Sequence, residues 1–171
     1  TQTPEGPALG FHRAGRWDEV LPLEVCLLTT DLGNAIRDAV QAWAREEKLE
    51  GYDQAAGSGY LRHLVMREGR NTGQVLVQLV TAKGRKFEEG YLIEVLRRFP
   101  EVRSIHWAVN DTPAEVTNLP TVLLWGEDAM REATSRVTWE IEPVGDSCRL
   151  IVTHDQLSET SPEELYGGWP M

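Results

Sequence analysis

The sequence predicts an α+β fold: a two-layer sandwich of mostly antiparallel sheet with two main helices, plus an extra C-terminal β-hairpin. Three observations predict it. Short segments near residues 60–68 and 74–81 carry β-branched and leucine residues in alternation, and residues 102–110 read as a further strand. Two longer stretches, near residues 31–48 and 87–99, space their apolar residues as helices do. The strands come in neighbouring pairs separated by single helices, an order β-β-α-β-β-α-β-β that suits helices on one face of a sheet.

Each element has its own signal. A Pro/Gly-rich lead-in, TPEGPALGF, opens into a short strand over Ala8–His12, a turn at Arg13–Arg16 and a second strand over Trp17–Leu21. Thr29, Thr30 and Asp31 offer capping side chains to a helix in which Leu32, Ile36, Ala39, Val40 and Trp43 share a face. That helix runs to about Lys48, with Arg45 and Lys48 in its last turns, where the helix dipole favours cations. After the link Gly51–Gly59, strands Tyr60–Glu68 and Gln74–Thr81 form a hairpin around Gly69–Gly73. Phe87, Tyr91, Ile93, Val95, Leu96 and Phe99 mark the second helix, which Pro100 ends. Strand Val102–Asn110, a polar loop Asp111–Pro120 and a short strand Val122–Trp125 follow. Residues 134–154 are two alternating strands around Pro143-Val144-Gly145-Asp146. The polar segment after them reads as the start of a helix that stops at Met171, and Thr1 in place of an initiator Met suggests a truncated left end.

Composition narrows the function classes. The chain is 41% hydrophobic and 26% charged, as globular proteins are. No apolar run approaches the roughly 18 residues of a membrane span, and no basic-then-apolar leader opens the chain. The expected location is cytoplasmic, with no membrane partner. Cys26 and Cys148 are too few for a disulfide framework and form no CxxC pair, so both read as reduced thiols. The net charge of −10 is uneven: residues 1–126 hold 14 basic and 17 acidic residues, residues 127–171 hold 3 and 10. An acidic C-terminal part repels phosphate, so any nucleic-acid contact is expected from the first part.

There, His12, Arg13 and Arg16 sit in a turn beside Phe11 and Trp17, cations next to aromatic rings that suit phosphates and stacked bases. Arg67 and Arg70, at the end of the hairpin strand, are a second pair of RNA-contact candidates, and alternation puts Arg62 on the opposite face from His63 and Arg67. Lys83, Arg85 and Lys86 read as a solvated basic turn. His106, between Ile105 and Trp107, reads as a core histidine, and Asn110 and Asn118 as turn formers. The six tryptophans read as core. His154 beside Asp155 has no nucleophile near it, and no Ser, His and acid set forms a recognisable elbow, so no catalytic residue is assigned.

Four stretches, GFHRAGRWDEVLPLEVCLL, GYLRHLVMREGRNTGQVLVQLVT, FPEVRSIHWAVNDTPAEVTN and LLWGED, resemble in order and spacing the central region of RNA uracil-5-methyltransferases, over about residues 7–128. The resemblance implies a region that helps to seat ribosomal or transfer RNA next to a methyltransferase domain that uses S-adenosylmethionine. That chemistry needs a cysteine nucleophile, a base and a glycine-rich cofactor loop, which the family carries in its C-terminal half. Cys26 and Cys148 stand outside the family's nucleophile motif, so the chain is expected to be an accessory RNA-binding fragment, inactive alone, with no cofactor of its own. Cys26 falls where iron–sulfur members place their last cluster ligand; the other three ligands are missing, and it reads as a buried thiol without metal. From Ser135, SRVTWEIEPVGDSCRLIVTHD and ELYGGWPM are similar to the C-terminal hairpin of START-like (SRPBCC) proteins of the chaperone-activator-homologue type, which implies a boundary between residues 1–128 and 129–171. Two alternatives follow: a START-like small-ligand or chaperone-partner module, and a chimeric product with no activity. Exposed hairpin edges also allow oligomers by strand pairing.

Overall fold

The computed structural model describes residues 1–69, 72–84, 87–127, 136–145 and 147–155, the last two stretches chiefly by their backbone. Internal contacts divide the chain into two units, Thr1–Asp128 and Ala129–Met171. The first holds β1 (Gln2–Thr3), β2 (Gly6–Pro7), β3 (Gly10–His12), β4 (Val20–Pro22), α1 (Asp31–Glu46), β5 (Leu61–Glu68), β6 (Val75–Thr81), α2 (Glu89–Leu96), β7 (Val102–Val109) and β8 (Thr121–Gly126). In the second, β9 (Arg136–Val144) and β10 (Ser147–Asp155) pair antiparallel.

The α+β class is borne out. Strands β5–β6–β7–β8 form one sheet in that order, antiparallel except between β6 and β7. The parallel pair follows from α2, a helical crossover that returns the chain to the same end of the sheet. Strand β6 is buried over its whole length, so it shows little of the alternation of a half-exposed strand. Val75, Val77 and Leu79 enter the core with Ile36, Val40 and Trp43 of α1 and Leu92, Val95 and Leu96 of α2. Trp43, Phe87 and Trp107 meet edge to face in sequence, at 5.6 and 5.8 Å between ring centroids. On the other face of β6, Gln78 donates to the Thr117 carbonyl at 3.0 Å, which fixes the 111–120 loop against that face.

Helix α1 starts where the sequence predicts. Thr30 caps it, its hydroxyl accepting from the Gly33 amide at 3.0 Å, and Glu68 ties the cap to β5 by accepting from both Thr29 and Thr30 hydroxyls. A Cβ at Gly33 would lie 2.0 Å from Thr29 Oγ1 and 2.5 Å from Glu68 Oε1, so a larger residue there displaces the groups that tie the cap to β5. The helix stops at Glu46, and Lys48 turns the chain with a φ of 52°.

Three expectations change. The strand placed at Trp17–Leu21 is Val20–Pro22, because residues 13–19 close a turn with the Arg13 amide donating to the Glu19 carbonyl. Trp17 is therefore 66% exposed and not core. Cys26 is half-buried in an irregular stretch whose Val25, Leu27 and Leu28 face solvent. His106 is fully buried, its Nε2 2.6 Å from Ser104 Oγ, as a core histidine should be. Trp139, Cys148 and His154 have no described side chains, and Trp169 lies outside the described residues. No described helix is long and apolar enough to cross a membrane.

Candidate functional site

The β3–β4 hairpin carries three of the five basic residues singled out for RNA, and each faces a carboxylate. His12 Nε2 lies 2.7 Å from Glu115, Arg13 Nε 2.8 Å from Glu19, and Arg16 binds Asp18 through both Nε and Nη2 at 2.8 Å. The hydrogen-bonded Arg16 guanidinium draws the half-buried Asp18 carboxyl down to a pKa of about 2. Such exposed pairs are worth only about 0–1 kcal/mol, so a phosphate can displace them. Arg67 is exposed on β5 with no partner among the described residues. Arg70 lies outside the described residues, as do Arg85 and Lys86. Lys83 pairs with Asp111 at 3.2 Å.

Beside this hairpin is a half-open cleft of about 820 Å³. One wall is the hairpin itself, with Phe11, His12 and Val20; another is β5, with Leu64, Met66 and Glu68; Arg37 of α1 and Cys26 line it as well. Sequence reasoning missed this site, since no short motif carries it. The hydrophobic pattern of β5 shows which residues point to the core but not that two helices leave part of them uncovered.

Arg62 organises one rim. A register shift between Leu61 and His63 frees its side chain from the ladder. Its guanidinium donates to the carbonyls of Asn110, Thr112 and Ala114 and to Gln54, and lies 4.3 Å from the centre of the Tyr52 ring. Asn110 completes the loop, accepting from the Thr112 amide and hydroxyl and donating to Ala114 and Val116 carbonyls. Both Arg62 and His63 line the cleft, and nothing in the spacing of the strand announces this clamp.

Two buried polar atoms lining the cleft have no hydrogen-bond partner: Arg37 Nη1 and His63 Nε2. Arg37 is only 6% exposed; it donates to the Glu24 carbonyl and, through Nε and Nη2, to Asp38 Oδ1. Burial pushes the His63 pKa below its ordinary value, against the opposing pull of Glu115, with Arg62 and His12 adding to the depression. No group of His, Cys, Asp and Glu among the described residues is arranged to hold a metal ion.

Cys26 and Gly10 both line the cleft, yet the glycine is not free to cradle a cofactor. A Cβ at Gly10 would lie 1.9 Å from the Leu21 carbonyl oxygen, so its missing side chain serves the close approach of β3 and β4. The strand-to-helix connection between β6 and α2 carries Gly84 alone. These residues do not fit the amino-acid end of S-adenosylmethionine, which calls for several backbone amides presented by a glycine-rich turn.

No family model matches the chain. It is 29% identical over 141 residues to a tRNA (uracil(54)-C(5))-methyltransferase of Pyrococcus horikoshii, an alignment covering 82% of the chain and 33% of that protein. An uncharacterized RNA methyltransferase of Halalkalibacterium halodurans is 30% identical over 146 residues, covering 82% and 32%. Another, of Staphylococcus epidermidis, is 26% identical over 161 residues, covering 92% and 33%. The crystal structure of Pyrococcus abyssi tRNA (uracil-54, C5)-methyltransferase in complex with S-adenosyl-L-homocysteine superposes with a TM-score of 0.59 at 23% identity, over 84% of this chain and 32% of that one. The chain thus spans about a third of the length of the curated relatives it matches.

Proposed function

We propose that these 171 residues form an RNA-contacting accessory region of an S-adenosylmethionine-dependent RNA uracil-C5 methyltransferase, acting in the cytoplasm, and transfer no methyl group by themselves. The likeness of four-fifths or more of the chain to RNA methyltransferases carries this reading. The α+β architecture shared with a uracil methyltransferase is consistent with it. His12, Arg13, Arg16, Arg67 and Arg70 supply the phosphate contacts. The methyl donor is held by residues other than these, since the cleft beside Cys26 lacks a glycine cradle.

An alignment over 92% of the chain leaves too few residues unmatched to avoid the 128–136 boundary. That favours one family throughout over a join to a START-like hairpin. The β9–β10 ladder fits either origin.

Filter retention of a uracil-containing single-stranded RNA at low ionic strength tests the reading. Replacing Arg13 and Arg16 together by Ala weakens retention several-fold, more than replacing Lys83 and Lys86. Loss of all retention by the unaltered chain overturns the RNA role. Turnover with labelled S-adenosylmethionine overturns the claim of inactivity.

A further inference from the structure

Strand β5 is an open edge of the four-stranded sheet. It pairs with β6 alone, and among the described residues nothing takes the backbone N–H and C=O groups that residues 63–67 turn away from β6. The cleft follows this edge. Residues from both faces of the strand line it, His63 and Leu64, and it reaches from Arg62 to Glu68, six residues or about 20 Å of strand. Spread over that length, its volume of about 820 Å³ gives a cross-section of about 40 Å². One strand in a sheet occupies about 5 by 10 Å, whereas a helix is about 10 Å across in both directions. The cleft is therefore a groove of strand width. Its charged groups are already engaged: His12 with Glu115, Asp18 with Arg16, Arg62 with the 110–114 carbonyls, and Arg37 with Glu24 and Asp38. What stays open is the backbone of β5 and an apolar lining in which Phe11 is 56%, Leu27 92% and Leu28 89% exposed.

We infer that this groove takes one extended polypeptide strand, which adds to the sheet along β5 and lays apolar side chains on Phe11, Leu27 and Leu28. The occupant is a segment of the same polypeptide outside these 171 residues, so the inference rests on the accessory-region reading above and names a partner of that region. Two observations choose it. The curated relatives run to about three times the length matched here, so they carry chain enough to cover this surface. The groove is also walled on both sides, by β5 and by the β3–β4 hairpin. A free segment enters such a groove, whereas an edge strand of a second copy, already backed by its own sheet, does not. A strand seated there also covers an edge that would otherwise pair with any exposed strand.

The test titrates the 171-residue chain with a capped heptapeptide alternating threonine and leucine, and with its depsipeptide, in which ester links replace the amides. The depsipeptide keeps the side chains and loses the donors that a strand needs, so it is expected to bind at least about tenfold more weakly. Hydrogen exchange at alternate amides of residues 63–67 slows with the peptide and not with the depsipeptide. Leu27→Asp with Leu28→Asp, at two exposed positions, weakens peptide binding several-fold. The intact Pyrococcus horikoshii relative, its groove already filled, takes up neither. Equal affinities, unchanged exchange in β5, or binding of neither compound to the 171-residue chain overturns strand addition. Peptide uptake by the intact relative overturns the choice of occupant, as does a dimer in sedimentation that the peptide splits. RNA retention is measured without either compound, so a chain that retains RNA and ignores the peptide sinks this inference alone.

Discussion

Arg62 shows how one side chain can hold a loop that has no regular structure. Its five-donor fork reaches three carbonyls between residues 110 and 114, which would otherwise be left to water. Arg62→Ala is expected to cost about 2 kcal/mol in urea unfolding, and Arg62→Lys to recover only part, since an ammonium cannot span the fork. His63 gives a pH signature. Its folded pKa is depressed below 6.5, chiefly by burial, so the unfolded chain binds the proton more readily. Stability is therefore complete above the unfolded pKa and falls as pH drops from about 6.5 toward the folded value. Asp18, held near 2, adds a separate loss between about 4 and 2. Melting temperature against pH should show the upper step, and His63→Gln should remove it while leaving the lower one. Neither residue was legible as anything but a strand position, because their roles depend on a register shift and on what the 111–120 loop covers.

Elements were read far better than contacts. The cap of α1 was visible in Thr29-Thr30-Asp31, and the core face in Ile36, Val40 and Trp43, because both depend on spacing along one chain. That Glu68, thirty-eight residues away, binds the same hydroxyls was not visible. Thr30→Ala is expected to destabilise by about 1 to 2 kcal/mol, losing the cap and one bond to Glu68, while Thr30→Ser keeps both; thermal melts of the two variants check this. The N-terminal strands β1 and β2 escaped notice because two-residue ladders leave no periodicity to detect. The turn after β3 was read too short, since its extent is set by ion pairs of Arg13 and Arg16 and not by apolar spacing.

For the whole chain, charge is the property most directly readable and the one most closely tied to function. The cations proposed to meet RNA lie in the part with near-balanced charge, and the strongly acidic remainder follows residue 126. With the four arginines proposed to meet phosphate, Arg13, Arg16, Arg67 and Arg70, on a single-stranded RNA, the logarithm of affinity should fall with the logarithm of salt at a slope of about −3. Filter binding between about 50 and 200 mM salt measures it, and a flat response would mean that these guanidiniums do not touch phosphate. The cleft next to them was not readable at all, because it is a gap between layers and no residue type announces a gap.

The parallel pairing of β6 with β7 carries a kinetic consequence. A hairpin such as β5–β6 closes between sequence neighbours, but the β6–β7 ladder joins only after α2 has brought the chain back across the sheet. Closing that larger loop costs more entropy before any contact repays it. The central ladder, buried on both sides in the finished fold, is thus the one to assemble late, and weakening Leu92 or Leu96 should slow refolding more than weakening the turn at Gly73.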